Sequence, residues 1–126
     1  MNALPELARS EAKVRTSASH EGEVITVRLA GEAAMDAMAT MESVLASLHE
    51  KAQALGVASV AIDLTQLEFM NSSCFKAFVS WIDRVQQMDA QKQYRIRFVS
   101  NPAILWQRRS LHALQCFAAE LISIDR

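Results

Sequence analysis

Three stretches of the chain alternate apolar and polar residues with the two-residue period of a β-strand. They cover residues 24–30, 59–65 and 93–99. In each stretch the apolar side chains fall on one face, and polar side chains such as Thr26, Asp63 and Arg95 fall on the other. Further strands are predicted over residues 13–18 and 120–124, and Gly22 supplies the positive φ of a turn at residues 20–23.

Two longer stretches repeat apolar residues every three or four positions, which is the period of an amphipathic helix. They predict helices over residues 36–54 and 72–88, with Gly56 just beyond the first. The Asn101-Pro102 pair predicts the start of a third helix, because asparagine is a good N-cap and proline has a helical φ. We expect this helix to end near residues 112–114.

The order of these elements, β-β-α-β-α-β-α-β, favours parallel pairing with right-handed crossovers after the first hairpin. A sheet covered on both faces has strands that are apolar throughout, whereas these strands alternate. We therefore predict an α/β domain with a mostly parallel sheet of about five strands, an N-terminal hairpin and helices packed on one face. The alternation, and the lack of a glycine-rich phosphate loop in the sequence, argue against a nucleotide-binding domain.

The composition is that of a single globular domain. Of 126 residues, 51% are hydrophobic and 21% are charged, which excludes a disordered chain and allows a core without metal or disulfides. Residues 1–12 lack a clean period and are expected to form a flexible lead-in to a domain over residues 13–126.

Charge and hydropathy exclude several classes of partner. The net charge is −1, with −4 over residues 1–63 and +3 over residues 64–126, a mild dipole that favours protein docking over nucleic-acid binding. The sequence has no apolar run of the roughly 20 residues that span a membrane, and residues 1–13 do not resemble a signal peptide. We expect a cytoplasmic protein without membrane insertion. The two Cys and three His have no ligand spacing, so neither a metal site nor a cofactor is predicted.

The segment between the third predicted strand and the second helix carries the candidate chemistry. It reads Leu67-Glu68-Phe69-Met70 and then Asn71-Ser72-Ser73. In the simpler interpretation Asn71 and the serines only cap the helix. In the functional interpretation, a serine hydroxyl at the exposed helix start accepts a phosphoryl group. Backbone N–H groups and the helix dipole would stabilise that phosphate.

This segment resembles the sulphate-transporter and anti-sigma-factor-antagonist domain, the STAS family. The resemblance rests on a strand followed by Asp63-Leu64-Thr65 and by Leu67 to Ser73, and on Val27 to Glu32 before the first long helix. Asn71 stands where the family usually has Asp, and Cys74 stands where it usually has Gly.

The resemblance implies an anti-sigma factor antagonist, a binding switch without enzymatic activity of its own. Ser72, or as second choice Ser73, would be phosphorylated by a partner kinase or anti-sigma factor of the histidine-kinase-like ATPase type, and a serine phosphatase would reverse the reaction. The expected partner surface contains the following residues: Gly31, Glu32, Asp36, Asn71, Ser72, Ser73, Cys74 and Lys76.

Two alternatives remain open. The chain could be a STAS subunit or scaffold of a larger assembly, such as a lipid-transporting ABC system, which docks the same helix start without phosphate chemistry. An enzyme has less support, since the sequence has no paired carboxylates and no Ser/His/Asp arrangement.

Other residues have simpler interpretations. We expect Met35, Met38, Met41 and Cys116 in the core, and a docking patch around Trp106 is one reading of the third helix. An apolar patch near Ile122 and Ile124 would be covered by the N-terminal residues or by a second copy in a homodimer.

Overall fold

The computed structural model describes residues 2–11 and 13–125, which form a mixed α/β domain with one sheet. The strands are β1 (Asn2–Ala3), β2 (Arg9–Glu11), β3 (Val14–Glu21), β4 (Val24–Ala33), β5 (Ser59–Met70), β6 (Arg95–Val99) and β7 (Ile122–Asp125). The helices are α1 (Met38–Leu55), α2 (Ser72–Gln86) and α3 (Leu105–Phe117), with short 3₁₀ helices at Pro5–Leu7 and Met35–Ala37.

The sheet has the predicted hairpin followed by parallel strands. Its order is β1-β3-β4-β5-β6-β7, and β2 pairs with the same edge of β3 as β1 does. The β3–β4 pair is antiparallel, whereas β4, β5, β6 and β7 are mutually parallel. Since every crossover helix leads to the next strand in the same direction, right-handed crossovers place α1, α2 and α3 on one face. The predicted fold class is confirmed, with more strands than expected.

The covered face of the sheet contains the apolar half of each alternating strand. Ile25, Val60 and Ile96 are fully buried there, as are the neighbours two residues along each strand. Phe78 on α2 packs edge-on against Phe98 on β6, with ring centroids 5.8 Å apart. The alternation in the sequence therefore identifies the buried face correctly.

The opposite face of the sheet carries charged and hydroxyl side chains. Arg28, Arg95 and Arg97 are exposed. Arg28 lies 3.9 Å from Asp63, and Arg97 lies 3.3 Å from Asp125. Exposed pairs of this kind contribute little to stability, so we assign these side chains a solubilising role. No helix in the described part of the chain is long and apolar enough to cross a membrane.

The N-terminal segment packs against the domain. Although no regular element is predicted before Lys13, the described part forms β1, a 3₁₀ turn and β2, and it buries Leu4 and Leu7 in the main core. It lies at the β3 edge, opposite to β7. The prediction that it covers Ile122 and Ile124 is therefore wrong, and α3 packs against β7 instead.

Several element boundaries differ from prediction. β4 continues past Gly31, and β5 continues from Thr65 to Met70. α3 begins at Leu105 because Asn101 forms a turn: its Oδ1 accepts from Ala103 N at 2.9 Å. That helix continues to Phe117, beyond the predicted end. Three other boundaries differ from the predicted ones by about two residues. α2 ends at Gln86, β6 begins at Arg95, and β7 covers Ile122–Asp125.

Some predicted core positions are also wrong. Met35 is 72% exposed and Met38 is 38% exposed, because the chain enters α1 through a 3₁₀ turn rather than at Asp36. Cys116 is exposed on α3 beside His112, whereas Met41 is fully buried as expected.

A buried hydrogen-bonded triad links α1 and α2 to Tyr94, the residue directly before β6. Trp81 Nε1 donates to the Tyr94 hydroxyl at 2.8 Å, and that hydroxyl lies 2.7 Å from His49 Nδ1. Because the indole N–H can only donate, the pattern is satisfied when Tyr94 donates to a neutral His49. Burial, together with the positive charge of Arg84, lowers the pKa of His49 and so favours this neutral form.

Gly31 makes a close approach that no other residue type tolerates. Its φ is +99°, and a Cβ at this position would clash with the carbonyl oxygen of Lys13. The same carbonyl accepts a hydrogen bond from the Glu32 N–H at 2.9 Å. Gly31 also marks a register irregularity in the pairing of β4 with β5.

We predict that Gly31→Ala lowers the free energy of unfolding by about 3 kcal/mol or more, because both the φ and the contact with the Lys13 backbone are unfavourable. Gly22→Ala is the matched control. Gly22 also has a positive φ, but a Cβ there meets no atom within 4 Å, so its cost should be about 1 kcal/mol. Urea unfolding measures both, and equal costs would contradict the steric argument.

We also predict that the free energy of unfolding falls as the pH drops below about 6.5, the ordinary histidine pKa. The folded state holds His49 neutral, whereas the unfolded chain takes up a proton in this range, so acid favours unfolding. Urea titrations between pH 7 and pH 5 measure this slope. His49→Gln should flatten it, and His112→Gln, at an exposed position, should not; the opposite ranking would contradict the prediction.

Candidate functional site

The two sequence segments of the STAS resemblance meet at one end of the sheet. Because β4 and β5 are parallel, their carboxyl ends lie together, and Glu32 pairs with Phe69 while Ala33 pairs with Met70. The Asn71 N–H then donates to the Ala33 carbonyl oxygen at 2.8 Å. This contact fixes the start of α2 beside the end of β4.

Asn71 is the N-cap of α2, as its residue type predicts. Its Oδ1 accepts from the Cys74 N–H at 2.9 Å. Ser72 is the first residue of the helix and is exposed, whereas Ser73 is half-buried. The side chain of Ser72 forms no hydrogen bond with any part of the chain that the structure describes. Its hydroxyl is therefore open to a macromolecule approaching from solvent.

Cys74 lies directly below this helix start and is fully buried. Its thiol donates to the Ala34 carbonyl oxygen at 3.4 Å. Burial raises the pKa of the Cys74 thiol, and the carboxylates of Asp36 and Glu42 raise it further. A neutral, enclosed thiol is a poor nucleophile, so the geometry favours a packing role over reactivity. A partner on this surface would contact its neighbours rather than its side chain.

Charged side chains of both signs lie on the elements that meet at the start of α2. Glu32 is exposed and lies 3.6 Å from the Lys13 ammonium. Asp36 is exposed in the 3₁₀ turn before α1, and Lys76 is exposed one turn after Ser72 on α2. A phosphate on Ser72 would gain from Lys76 and from the positive end of the helix, while Asp36 would oppose it.

Apolar side chains whose exposure the sequence does not predict lie at the carboxyl end of the sheet. Met35 is 72% exposed, and Phe69 at the end of β5 is 46% exposed. Leu105, at the start of α3, is 88% exposed. Large exposed apolar residues often mark interaction surfaces. The sequence offers one indication of a role for Met35 and Phe69. Met35 closely follows one of the two segments that carry the STAS resemblance, and Phe69 lies within the other.

Gln107 joins α3 to the end of β5, and nothing in the sequence marks it. Its side chain is only 1% exposed, and its amide group is hydrogen-bonded within the protein. The amide nitrogen Nε2 donates to the carbonyl oxygens of Leu64 at 2.6 Å and Leu67 at 3.1 Å. Trp106 Nε1 donates to the Leu67 oxygen at 3.3 Å. The half-buried Trp106 thus holds the first turn of α3 against the strand that leads to Ser72.

This arrangement presents an exposed serine hydroxyl at the first position of α2, beside the end of β4. Within residues 2–11 and 13–125, no group of three or more His, Cys, Asp or Glu side chains could hold a metal ion. The helix start and the adjoining strand ends together form one exposed surface at the carboxyl edge of the sheet.

Comparison with known proteins supports the fold. No protein-family model matches the chain, and no curated protein sequence matches it. Among solved structures, an anti-sigma factor antagonist from Mycobacterium paratuberculosis superposes with a TM-score of 0.66 at 16% sequence identity, over 92% of this chain and 88% of that one. The domain therefore has the STAS-type fold that its sequence motifs indicate, in the arrangement seen in that antagonist.

Proposed function

We propose that this domain is a protein-binding switch of the anti-sigma-factor-antagonist type, controlled by reversible phosphorylation of Ser72. The observation that carries the proposal is the exposed Ser72 hydroxyl, which is free of side-chain hydrogen bonds to described residues and stands at the first position of α2 beside the end of β4. The fold shared with an anti-sigma factor antagonist supports the same role.

The STAS resemblance implies a kinase of the histidine-kinase-like ATPase type. Its ATP supplies the phosphoryl group: the bond between the β–γ bridging oxygen and the γ-phosphorus breaks as the Ser72 Oγ–P bond forms, and a kinase base takes the hydroxyl proton. A serine phosphatase hydrolyses the product with water and restores the hydroxyl. The domain contributes the acceptor and its presentation.

Phosphorylation would change binding more than folding. A phosphate at the first position of α2 lies at the favourable end of the helix dipole, so the helix should persist. It adds nearly two negative charges to the end of the sheet that also exposes the apolar side chains of Met35 and Phe69. A partner that covers this surface would have to bury those charges. The unphosphorylated form is therefore the binding form, and Gly31, Glu32 and Lys76 would contribute to the contact.

One observation favours a second candidate function. Leu105 is 88% exposed although apolar, and it lies at the start of α3 rather than beside Ser72, as expected for a contact that does not depend on the phosphate. In that case the domain would be a subunit or scaffold of a larger assembly, such as a lipid-transporting ABC system, and Ser72 would remain unmodified.

The proposal predicts phosphorylation at one residue. Purified protein is incubated with ATP and the histidine-kinase-like ATPase encoded nearest its gene, and the product is mapped by mass spectrometry. We expect one phosphate on Ser72, and we expect Ser72→Ala to reduce incorporation to background. Calorimetry with the same kinase should show at least about tenfold weaker binding, or ~1.4 kcal/mol, after phosphorylation.

Ser73→Ala is the matched control, since Ser73 is the adjacent hydroxyl and is half-buried. It should be phosphorylated as well as the wild type. Undiminished phosphorylation of Ser72→Ala would overturn the site assignment. Tight kinase binding without phosphate transfer would favour the scaffold function.

A further inference from the structure

A solvent-filled groove runs between α1 and α2 from the candidate site toward the other end of the helices. It has a volume of about 560 Å³. Met38 and Ser73 line it near the two helix starts, whereas Trp81 lines it about two turns and Arg84 about three turns further along α2. Both helices connect parallel strands in the same direction, so they run parallel to each other and the groove follows them.

The floor of the groove is apolar and small. Leu45 on α1 and Trp81 on α2 are almost fully buried, and Ala46 and Ala77 leave room for a close approach. Trp81 is fixed by its hydrogen bond to Tyr94. The floor is therefore a rigid apolar surface rather than a gap that a rotamer change would close.

Charged side chains line both rims of the groove, with basic residues on α2 and an acidic residue on α1. Lys76 and Arg84 stand on the α2 rim, are exposed, and have no carboxylate within 4 Å in the part of the chain that the structure describes. Eight residues separate them, or about 12 Å along the helix, close to two turns. Glu42 is the acidic residue of the α1 rim.

We propose that this groove binds an amphipathic helix of the partner protein, with carboxylates along the flank that faces α2. The inference rests on the proposed binding-switch function and names the chemistry of the partner. A helix repeats its side chains about every two turns, so acidic residues seven or eight positions apart would reach Lys76 and Arg84 together. An apolar stripe beside them would cover Met38, which is 38% exposed, and the small exposed parts of Leu45 and Trp81.

The groove also gives the phosphate a direct target. Ser73 lines its end, and Ser72 is the adjacent residue. Phosphorylation of Ser72 would place nearly two negative charges where the acidic flank begins, and it would compete with that flank for Lys76. The modified form should bind the same helix more weakly without any rearrangement of the fold.

The test uses the whole chain, labelled with ¹⁵N, and synthetic peptides of about 18 residues, or five helical turns. The probe has a leucine stripe with glutamates on one flank and glutamines on the other, and the control peptide replaces the glutamates with lysines. We expect the glutamate peptide to bind about tenfold more tightly, from two exposed charge pairs. The indole signal of Trp81 should shift, and that of Trp106, outside the groove, should not.

Charge reversal provides the matched variants. Lys76→Glu combined with Arg84→Glu should reverse the preference between the two peptides. Lys92→Glu combined with Arg95→Glu, which changes the same charge at exposed positions outside the groove, should leave it unaltered. Circular dichroism checks that each variant is folded. Equal affinity for both peptides, shifts outside α1 and α2, or no binding at millimolar peptide would overturn the proposal.

Protein carrying phosphoserine at position 72 separates the two proposals. It should bind the glutamate peptide at least about threefold more weakly, and unchanged affinity would overturn the link between phosphate and groove. If the kinase leaves Ser72 unmodified while the glutamate peptide binds, the phosphorylation switch fails and the groove stands. If the kinase modifies Ser72 but the peptides fail, only the groove proposal is lost.

Discussion

The parallel pairing between β4 and β5 is the interaction on which the candidate site depends. It begins at Val24 and Ser59 and extends beyond the usual length of a strand, to Ala33 and Met70. Gly31 makes that extension possible, because its positive φ allows the strand to approach the Lys13 backbone closely. The end of the pairing delivers Asn71 to the position where it caps α2.

The one-sided architecture explains how a small domain keeps such a site rigid. All three helices share a single core with the apolar face of the sheet, and the hydrogen-bonded triad of His49, Tyr94 and Trp81 crosses that core. A polar group in a core has few alternative partners, so the triad specifies one relative position of α1, α2 and the chain directly before β6. The helix starts are therefore held at fixed places along the carboxyl edge of the sheet.

Local patterns were sufficient for the three long helices, the five longest strands and the buried face of the sheet, because a period of two or of 3.6 residues reports which side chains face the core. They were not sufficient where long-range contacts decide. No residue near Gly31 in the sequence indicates that β4 will pass close to the Lys13 carbonyl oxygen and continue beyond it. Met35 looks like a core residue in a helical pattern, but the 3₁₀ turn directs it outward.

Some features of the candidate site can likewise be predicted from the sequence, and others cannot. The N-cap role of Asn71 and the exposure of Ser72 follow from residue type and position at a helix start. Gln107 is buried with hydrogen bonds to two carbonyl oxygens of β5. This depends on how α3 packs against β5, which the hydrophobic pattern of the sequence does not predict. The N-terminal segment shows the same limit, since Leu4 and Leu7 become core residues only through pairing with β3.

That N-terminal segment has a consequence for the solution behaviour of the sheet. An uncovered edge strand offers unpaired N–H and C=O groups to any passing strand, and long flat edges promote aggregation. Here β1 and β2 cover the long edge of β3 with a bent, interrupted ribbon that offers no long template of its own. The other edge, β7, is only four residues long and includes the charged Asp125. Both borders of the sheet therefore discourage uncontrolled strand addition.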